Sequence, residues 1–265
     1  FVRETSDVPS LCLQDVIRVE VVFATREKCE QKDGQNPRIF SNHGSNLIMI
    51  DKDRYINILK ELGSNAKLIA VSKYQSLEDI RALYDIGQRD FAENRVQSLL
   101  ERKESLPADI RWHLIGHLQT NKVKSIISFV TLIHAVDSQK LLDAIQMEAA
   151  KMNKRMNVLL QMHIAREETK FGLDEAELFE IIALYQKGNY PNIQLCGMMG
   201  MATNTEDESI VSNEFAHIQD LFSKVKTQLN SESFCELSIG MSGDYRIALK
   251  HGATMIRVGS LLFVK

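Results

Sequence analysis

From residue 51 onward, short apolar runs alternate with stretches whose apolar residues recur at helical spacing. The first helical stretch carries Tyr55, Ile58 and Leu62 at that spacing, and Gly63 follows as a stop signal. A short apolar run bounded by turn signals comes next, which is typical of a buried strand. The alternation continues, with a helix after each of the first seven strands. It predicts eight strands, at residues 67–72, 90–92, 110–115, 132–136, 158–164, 193–199, 234–239 and 254–258.

Strict alternation of strands and helices predicts a parallel sheet with right-handed crossovers. Eight such units predict an α/β fold, a single (β/α)8 TIM barrel, and residues 51–265 are near the lower end of the size range for that fold. An open doubly wound sheet is the alternative. That fold usually carries a GxGxxG turn after its first strand, which this chain lacks.

Residues 1–50 do not continue the pattern. A strand is conceivable at residues 16–25, but residues 26–45 are polar and carry Gly34, Pro37 and Gly44 as breakers. We expect residues 1–50 to be a poorly ordered N-terminal extension, with Met49 as a plausible natural start.

The composition is that of an ordinary globular protein, with 44% hydrophobic and 25% charged residues. The net charge of -3 gives no indication of the basic surface expected of a nucleic-acid-binding protein. The chain has no apolar run long enough to span a membrane. Its four cysteines show no CxxC spacing, which favours a reducing, cytoplasmic location.

Lys73 follows the first predicted strand. If strand alternation continues through it, Ile69, Val71 and Lys73 share one face. An apolar wall at this position would disfavour the charged amine, and the neutral amine is the nucleophile that condenses with an aldehyde. Lys73 is therefore a candidate Schiff-base lysine. The alternative is a solvated lysine that marks the end of the strand.

Small and hydroxyl residues follow the last two predicted strands, namely Ser242 after strand seven and Gly259 and Ser260 after strand eight. A TIM barrel commonly binds phosphate at this position, where backbone N–H groups at a helix start hold the oxygens. We expect a helix to open at Ser242. Ser242 as a helix cap and Gly259 as a turn residue are the alternatives. An amine and a phosphate cradle at one mouth together predict pyridoxal 5'-phosphate as the ligand.

Arg257, at the end of strand eight, is a candidate partner for the pyridine nitrogen of that ligand. A guanidinium does not readily supply a proton, so the ring would be a poor electron sink. This favours holding or transferring the cofactor, or at most racemase-type chemistry. A clamp on phosphate or carboxylate is the alternative role. We expect no metal site, because His113 and His117 lack a third ligand and an HExxH motif.

Eight short motifs carry a family resemblance from about Asp51 to the end of the chain, in order and at the expected spacing. They are "LIAVSK", "FAENRVQS", "WHLIGHLQTNK", "VDS", "ETKFGL", "GMMGMATN", "LSIGMSGDYRIAL" and "IRVGS". They resemble the pyridoxal-phosphate homeostasis proteins (the YggS/PROSC type), which are related to the N-terminal barrel of alanine racemase. The ending "LLFVK" and Phe171 depart from the usual family pattern.

The resemblance implies a fold-type III barrel that holds pyridoxal 5'-phosphate through an imine to Lys73. It implies cofactor contacts from a set of residues at the strand ends, namely Asn94, Ser238, Met241, Ser242, Arg257, Gly259 and Ser260. It also implies a carrier without enzyme activity that buffers or delivers the cofactor, with apo pyridoxal-phosphate enzymes as recipients. We expect a monomer or a weak dimer.

Two other functions stay open. An amino-acid racemase needs an acid or base on each face of the substrate. In the racemases that resemble this barrel, a tyrosine from a further β domain supplies the second base, and we expect no such domain after strand eight. A phosphosugar enzyme that uses Lys73 as a Schiff-base lysine without a vitamin cofactor is the other alternative.

Overall fold

Eight parallel strands close into one barrel in the computed structural model, which describes residues 50–167 and 171–263. Each strand pairs with its neighbours in chain order, and the eighth pairs with the first. The predicted (β/α)8 TIM barrel is therefore confirmed. The predictions for residues 1–49, including the strand at 16–25 and the start at Met49, lie outside the described residues.

The strands lie close to their predicted positions, with ends that differ by at most two residues. Their bounds are β1 Lys67–Val71, β2 Asp90–Glu93, β3 Arg111–Leu114, β4 Leu132–Val136, β5 Met156–Met162, β6 Ile193–Gly200, β7 Glu236–Met241 and β8 Met255–Val258. The helices are α1 Lys52–Leu62, α2 Leu77–Asp85, α3 Val96–Ser105, α4 Val123–Ile126, α5 Gln139–Lys151, α6 Glu175–Gln186, α7 Glu208–Leu229 and α8 Tyr245–Lys250. A 3-10 turn over Thr120–Lys122 leads into α4.

Local sequence signals set several of the helix starts. The side chain of Ser76 accepts a hydrogen bond from the backbone N–H of Asp79 at 3.0 Å, and so begins α2. Asp174 and Glu177 form a capping box at α6, with reciprocal bonds of 2.8 and 3.0 Å. Backbone N–H groups in the first turn of these helices have no partner within the helix, and side chains close in sequence accept their hydrogen bonds.

Two apolar clusters show which face of each strand points inward. Ile69 and Val71 of β1 belong to a small cluster, formed mainly by strand residues, that fills the barrel interior. Leu68 and Ala70, which alternate with them, pack in the larger cluster that includes the surrounding helices. The strands are therefore covered on both faces, as parallel strands require.

The two ends of the described chain meet. Ile50 forms an antiparallel bridge with Phe263, and the backbone N–H of Asp51 donates to the carbonyl of Leu262 at 2.8 Å. Leu262 and Phe263 are both buried. The segment that departs from the usual family ending therefore contributes to the core. Within the part of the chain that is described, no helix has both the length and the apolar character needed to cross a membrane.

Candidate functional site

Strand register brings the turns after β7, β8 and β1 to one mouth of the barrel. Met241 is paired with Arg257, and Val258 is paired with Ala70. The hydroxyl oxygen of Ser242 accepts a hydrogen bond from the backbone N–H of Gly259 at 3.3 Å. The carboxyl ends of these three strands thus present their polar turns side by side.

Gly259 makes this closeness possible. A Cβ atom at position 259 would lie 3.0 Å from the carbonyl oxygen of Val71 and 3.3 Å from its Cβ. Gly259 therefore packs directly on the end of β1, two residues before Lys73. Ser260 follows in an exposed turn.

Lys73 lies in this mouth, but its environment differs from the expected one. β1 ends at Val71, and Lys73 occupies the turn beyond it with an exposed side chain. The predicted apolar wall around its amine is wrong. The physical reason is that the turn ends the strand alternation, and Tyr74, the next residue, has a positive φ of 68°.

The turn that carries Lys73 is fixed from below by Arg102 of α3. The guanidinium of Arg102 donates to the carbonyl of Ser72 at 2.7 Å and to that of Gln75 at 2.9 Å. It also forms a buried ion pair with Glu93. The Ser72 hydroxyl donates to the same carboxylate at 2.5 Å. Arg102 and Glu93 thus hold the backbone on both sides of Lys73.

Sequence reasoning missed the role of Arg102. The available signal was Glu93, a carboxylate at the end of a predicted buried strand, because a buried charge requires a partner. Burial lowers the pKa of Arg102, which is the cost of placing its guanidinium between α3 and the barrel.

Asn94 is half-buried directly after β2, at the same end of the barrel. The loop after β3 approaches it very closely, because a Cβ on Gly116 would lie only 2.2 Å from the Asn94 carbonyl oxygen. The backbone N–H of Ile115 donates to the carbonyl of Glu93 at 3.0 Å. These contacts set the position of the Asn94 backbone.

Arg257 and Ser238 are brought together in the barrel interior, where both are buried. Nη1 of Arg257 donates to the Ser238 carbonyl at 2.7 Å and to its hydroxyl at 2.8 Å, and Nη2 donates to the Gly200 carbonyl at 3.0 Å. Burial lowers the pKa of Arg257 to about 10, and the nearby Asp244 carboxylate opposes this change. The guanidinium therefore stays charged at neutral pH.

The turn between β7 and α8 differs from the prediction. The helix begins at Tyr245 and has six residues, so Ser242 lies in the preceding turn and does not open a helix. Met241 is the last residue of β7, and its backbone N–H donates to the Asp244 carboxylate at 2.5 Å. Asp244 thus places a negative charge in the turn predicted to bind phosphate, and sequence reasoning had not included it.

His113 and His117, the two histidines considered above as metal ligands, have different hydrogen-bond partners. His113 is buried and bonds to His134 and Asp90, whereas His117 is exposed and bonds to Asp137 at 2.7 Å. His117 also stacks on Phe171, with ring centroids 4.2 Å apart. Over residues 50–167 and 171–263, no group of three His, Cys, Asp or Glu side chains is arranged to hold a metal ion.

The family model for the alanine racemase N-terminal domain matches residues 52–265 of this chain. A pyridoxal phosphate homeostasis protein of Aquifex aeolicus is 38% identical over 199 residues, which cover 75% of this chain and 86% of the relative. This chain belongs to the pyridoxal phosphate homeostasis protein family. A Synechocystis member of the family is 36% identical over 217 residues, with 81% of this chain and 98% of the relative covered.

Solved structures agree with this assignment. PipY of Synechococcus elongatus PCC7942, solved without PLP, superposes with a TM-score of 0.75 at 32% identity, over 80% of this chain and 98% of PipY. The same protein with PLP bound gives a TM-score of 0.72. Alanine racemase from Bartonella henselae, solved with covalently bound pyridoxal phosphate, has a TM-score of 0.62 at 21% identity, over 78% of this chain and 58% of the racemase. That likeness shows a shared fold.

Proposed function

We propose that this protein binds pyridoxal 5'-phosphate through Lys73 and holds, buffers or delivers it, without a catalytic reaction of its own. The observation that carries the proposal is the convergence of three turns at one mouth, those of Lys73, Ser242 and Gly259. Relatives named pyridoxal phosphate homeostasis proteins, and a PipY structure with PLP bound, support it.

The donor groups at this mouth fit the chemistry of the ligand. Pyridoxal phosphate, when bound, supplies an aldehyde for a lysine amine, a phosphate that accepts hydrogen bonds, and a pyridine nitrogen. We assign the amine to the exposed Lys73 and the phosphate donors to Ser242, Gly259 and Ser260. We assign the remaining cofactor contacts to Asn94, Ser238, Met241 and Arg257.

Arg257 supports a carrier more than an enzyme. Its guanidinium is anchored by three hydrogen bonds and remains charged, so it does not donate a proton to a ring nitrogen at neutral pH. A ring that is not protonated withdraws electrons poorly. We therefore propose that the protein stabilises the bound cofactor and does not promote carbanion chemistry on it.

The proposed role as a cofactor carrier also leads us to propose a location and an oligomeric state. A carrier meets its small-molecule cofactor and the apo pyridoxal-phosphate enzymes that receive it in the cytoplasm, and we propose that location. We propose a monomer or a weak dimer.

The test combines absorbance with mass mapping. Purified full-length protein is mixed with pyridoxal 5'-phosphate, its visible absorbance is recorded before and after borohydride, and the modified peptide is identified. We expect a covalent adduct on Lys73. Lys73→Ala should lose the adduct and stay folded by circular dichroism, whereas Lys60→Ala, at an exposed position of α1, should keep it. An adduct that persists in Lys73→Ala would show that the linkage lies elsewhere.

Two further measurements separate the alternatives. Arg257→Ala should weaken retention of the cofactor, and unchanged binding would remove Arg257 from the site. Robust exchange of alanine enantiomers by the wild-type protein would overturn the assignment as a carrier and favour a racemase. A protein that gives no adduct with pyridoxal 5'-phosphate, but one with a phosphosugar aldehyde, would favour the phosphosugar enzyme.

A further inference from the structure

A continuous line of hydrogen bonds, buried except at its Asp90 end, leads away from Arg257 through the barrel interior. The Ser238 hydroxyl, bonded to Arg257, lies 3.0 Å from Nδ1 of His134. Nε2 of His134 lies 2.9 Å from Nδ1 of His113, and Nε2 of His113 lies 3.1 Å from the Asp90 carboxylate. We call Ser238, His134, His113 and Asp90 the buried relay. Nothing in the proposed function uses its far end.

The far end of the relay is an ionised carboxylate. Asp90 is the first residue of β2, and Arg111, the first residue of β3, donates to its two oxygens at 2.8 and 2.5 Å. Burial by itself raises the pKa of Asp90, but hydrogen bonds from Arg111 and His113 lower it by more, so the pKa lies well below its ordinary value. A carboxylate only accepts hydrogen bonds, so Nε2 of His113 carries a proton.

The barrel interior disfavours an additional positive charge along the relay. Arg111 and His113 both donate to Asp90, and Arg257 already places one positive charge in that interior. Burial is the largest cause that lowers the pKa of His134 well below its ordinary value. In the arrangement tested below, each ring carries one N–H and one bare nitrogen.

That arrangement gives every bond a direction. With Nε2 of His113 protonated, its Nδ1 accepts from Nε2–H of His134, and Nδ1 of His134 accepts from the Ser238 hydroxyl. The lone pairs of that hydroxyl are left to accept from Arg257. Donors thus follow one another from Arg257 to Asp90.

We propose that His113, His134 and Asp90 are positioning residues that orient the Ser238 hydroxyl and thereby hold the Arg257 guanidinium in one place. The consequence for the cofactor rests on the proposed function, in which Arg257 meets the pyridine ring. The Ser238 hydroxyl of the relay accepts one of the three hydrogen bonds that anchor Arg257, and the carbonyls of Ser238 and Gly200 accept the other two. Its loss therefore loosens Arg257 without releasing it.

The decisive variant is His113→Phe, which cuts the relay at a residue that contacts neither Arg257 nor Ser238. His217→Gln is the control, because His217 is exposed on α7 and lies outside the relay. Nitrogen-15 NMR of the full chain without cofactor reports the tautomers directly. We expect His113 and His134 of the wild type to be neutral Nε2–H tautomers.

In His113→Phe, we expect His134 to move toward the Nδ1–H tautomer, because its Nε2–H has lost its acceptor. We also expect the Kd for pyridoxal 5'-phosphate to rise roughly fivefold, which corresponds to one net hydrogen bond. The control should change neither quantity. A His134 tautomer that is Nδ1–H in the wild type, or a tautomer change without weaker binding, would overturn the proposal.

Two additions keep the test decisive. If His113→Phe does not fold, the wild-type tautomers and His113→Leu, which also removes both ring nitrogens but has a smaller side chain, are used with the same expectations of sign. If the wild type binds no pyridoxal 5'-phosphate, the proposed function fails. The hydrogen-exchange rate of the Arg257 guanidinium protons with solvent is then measured in place of the Kd. Cutting the relay should speed that exchange, and an unchanged exchange rate would overturn the positioning role.

Discussion

The Ser242 hydroxyl oxygen accepts a hydrogen bond from the backbone N–H of Gly259 at 3.3 Å, and this contact joins the turn after β7 to the turn after β8. The same glycine packs on Val71 at the end of β1. One residue thus connects both halves of the proposed phosphate cradle to the strand that leads to Lys73.

Gly259→Ala should weaken pyridoxal 5'-phosphate binding about tenfold, or ~1.4 kcal/mol. The added Cβ would lie 3.0 Å from the Val71 carbonyl oxygen, so the two strand ends must separate. Gly243→Ala is the matched control, since a Cβ there meets nothing within 4 Å. Fluorescence titration gives both Kd values. Equal effects of the two substitutions would contradict a specific role for Gly259.

Arg102→Lys should slow covalent attachment of the cofactor to Lys73 and reduce the free energy of unfolding by about 2 kcal/mol. A lysine does not reproduce the fork with which Arg102 bonds the carbonyls of Ser72 and Gln75. Stopped-flow absorbance and urea unfolding measure the two effects. Arg81→Lys, at an exposed position of α2, is the control. If attachment proceeds at the wild-type rate, Arg102 does not position the Lys73 turn.

Asp90→Asn should destabilise the protein at neutral pH by about 2 kcal/mol, because it removes the carboxylate that accepts hydrogen bonds from the half-exposed Arg111 and the buried His113. The pKa of Asp90 is lower in the folded chain than in the unfolded chain. Its carboxylate therefore contributes stability above pH ~4 and loses this contribution progressively as the pH falls below that value.

Urea unfolding of the wild type and Asp90→Asn between neutral and acidic pH tests this prediction. The difference in unfolding free energy should shrink as the pH falls below about 4. Asp53→Asn, at an exposed position of α1, should show a small difference throughout. A difference for Asp90→Asn that does not depend on pH would contradict the stabilising role of its charge.

Gly116→Ala should displace the loop that holds Asn94 and reduce the free energy of unfolding by about 2 kcal/mol. The new Cβ would overlap the Asn94 carbonyl oxygen at 2.2 Å, and a backbone atom does not yield as a flexible side chain does. Thermal unfolding and cofactor titration measure the outcome, again against Gly243→Ala. Full stability together with unchanged binding would show that the loop adapts without cost.

Much of the fold could be predicted from local pattern. Apolar runs and helical spacing placed eight strands and the helices between them, and the Asp174–Glu177 capping box was visible as two residues three apart. The general rule that a barrel exposes its chemistry at the carboxyl ends of its strands then placed Lys73, Ser242 and Gly259 at one mouth. These features depend on neighbours in sequence or on topology alone.

The sequence by itself determined the barrel and the residue types at its mouth, because short-range periodicity encodes both. Only the tertiary structure decided the exposure of Lys73, the anchoring of its turn by Arg102, and the relay from Arg257 to Asp90. His134 and Ser238 are 104 residues apart, and the register between β7 and β8 shifts between Ser238 and Met241. Side chains so distant meet according to register and the inward or outward direction of each strand position, which local pattern does not specify.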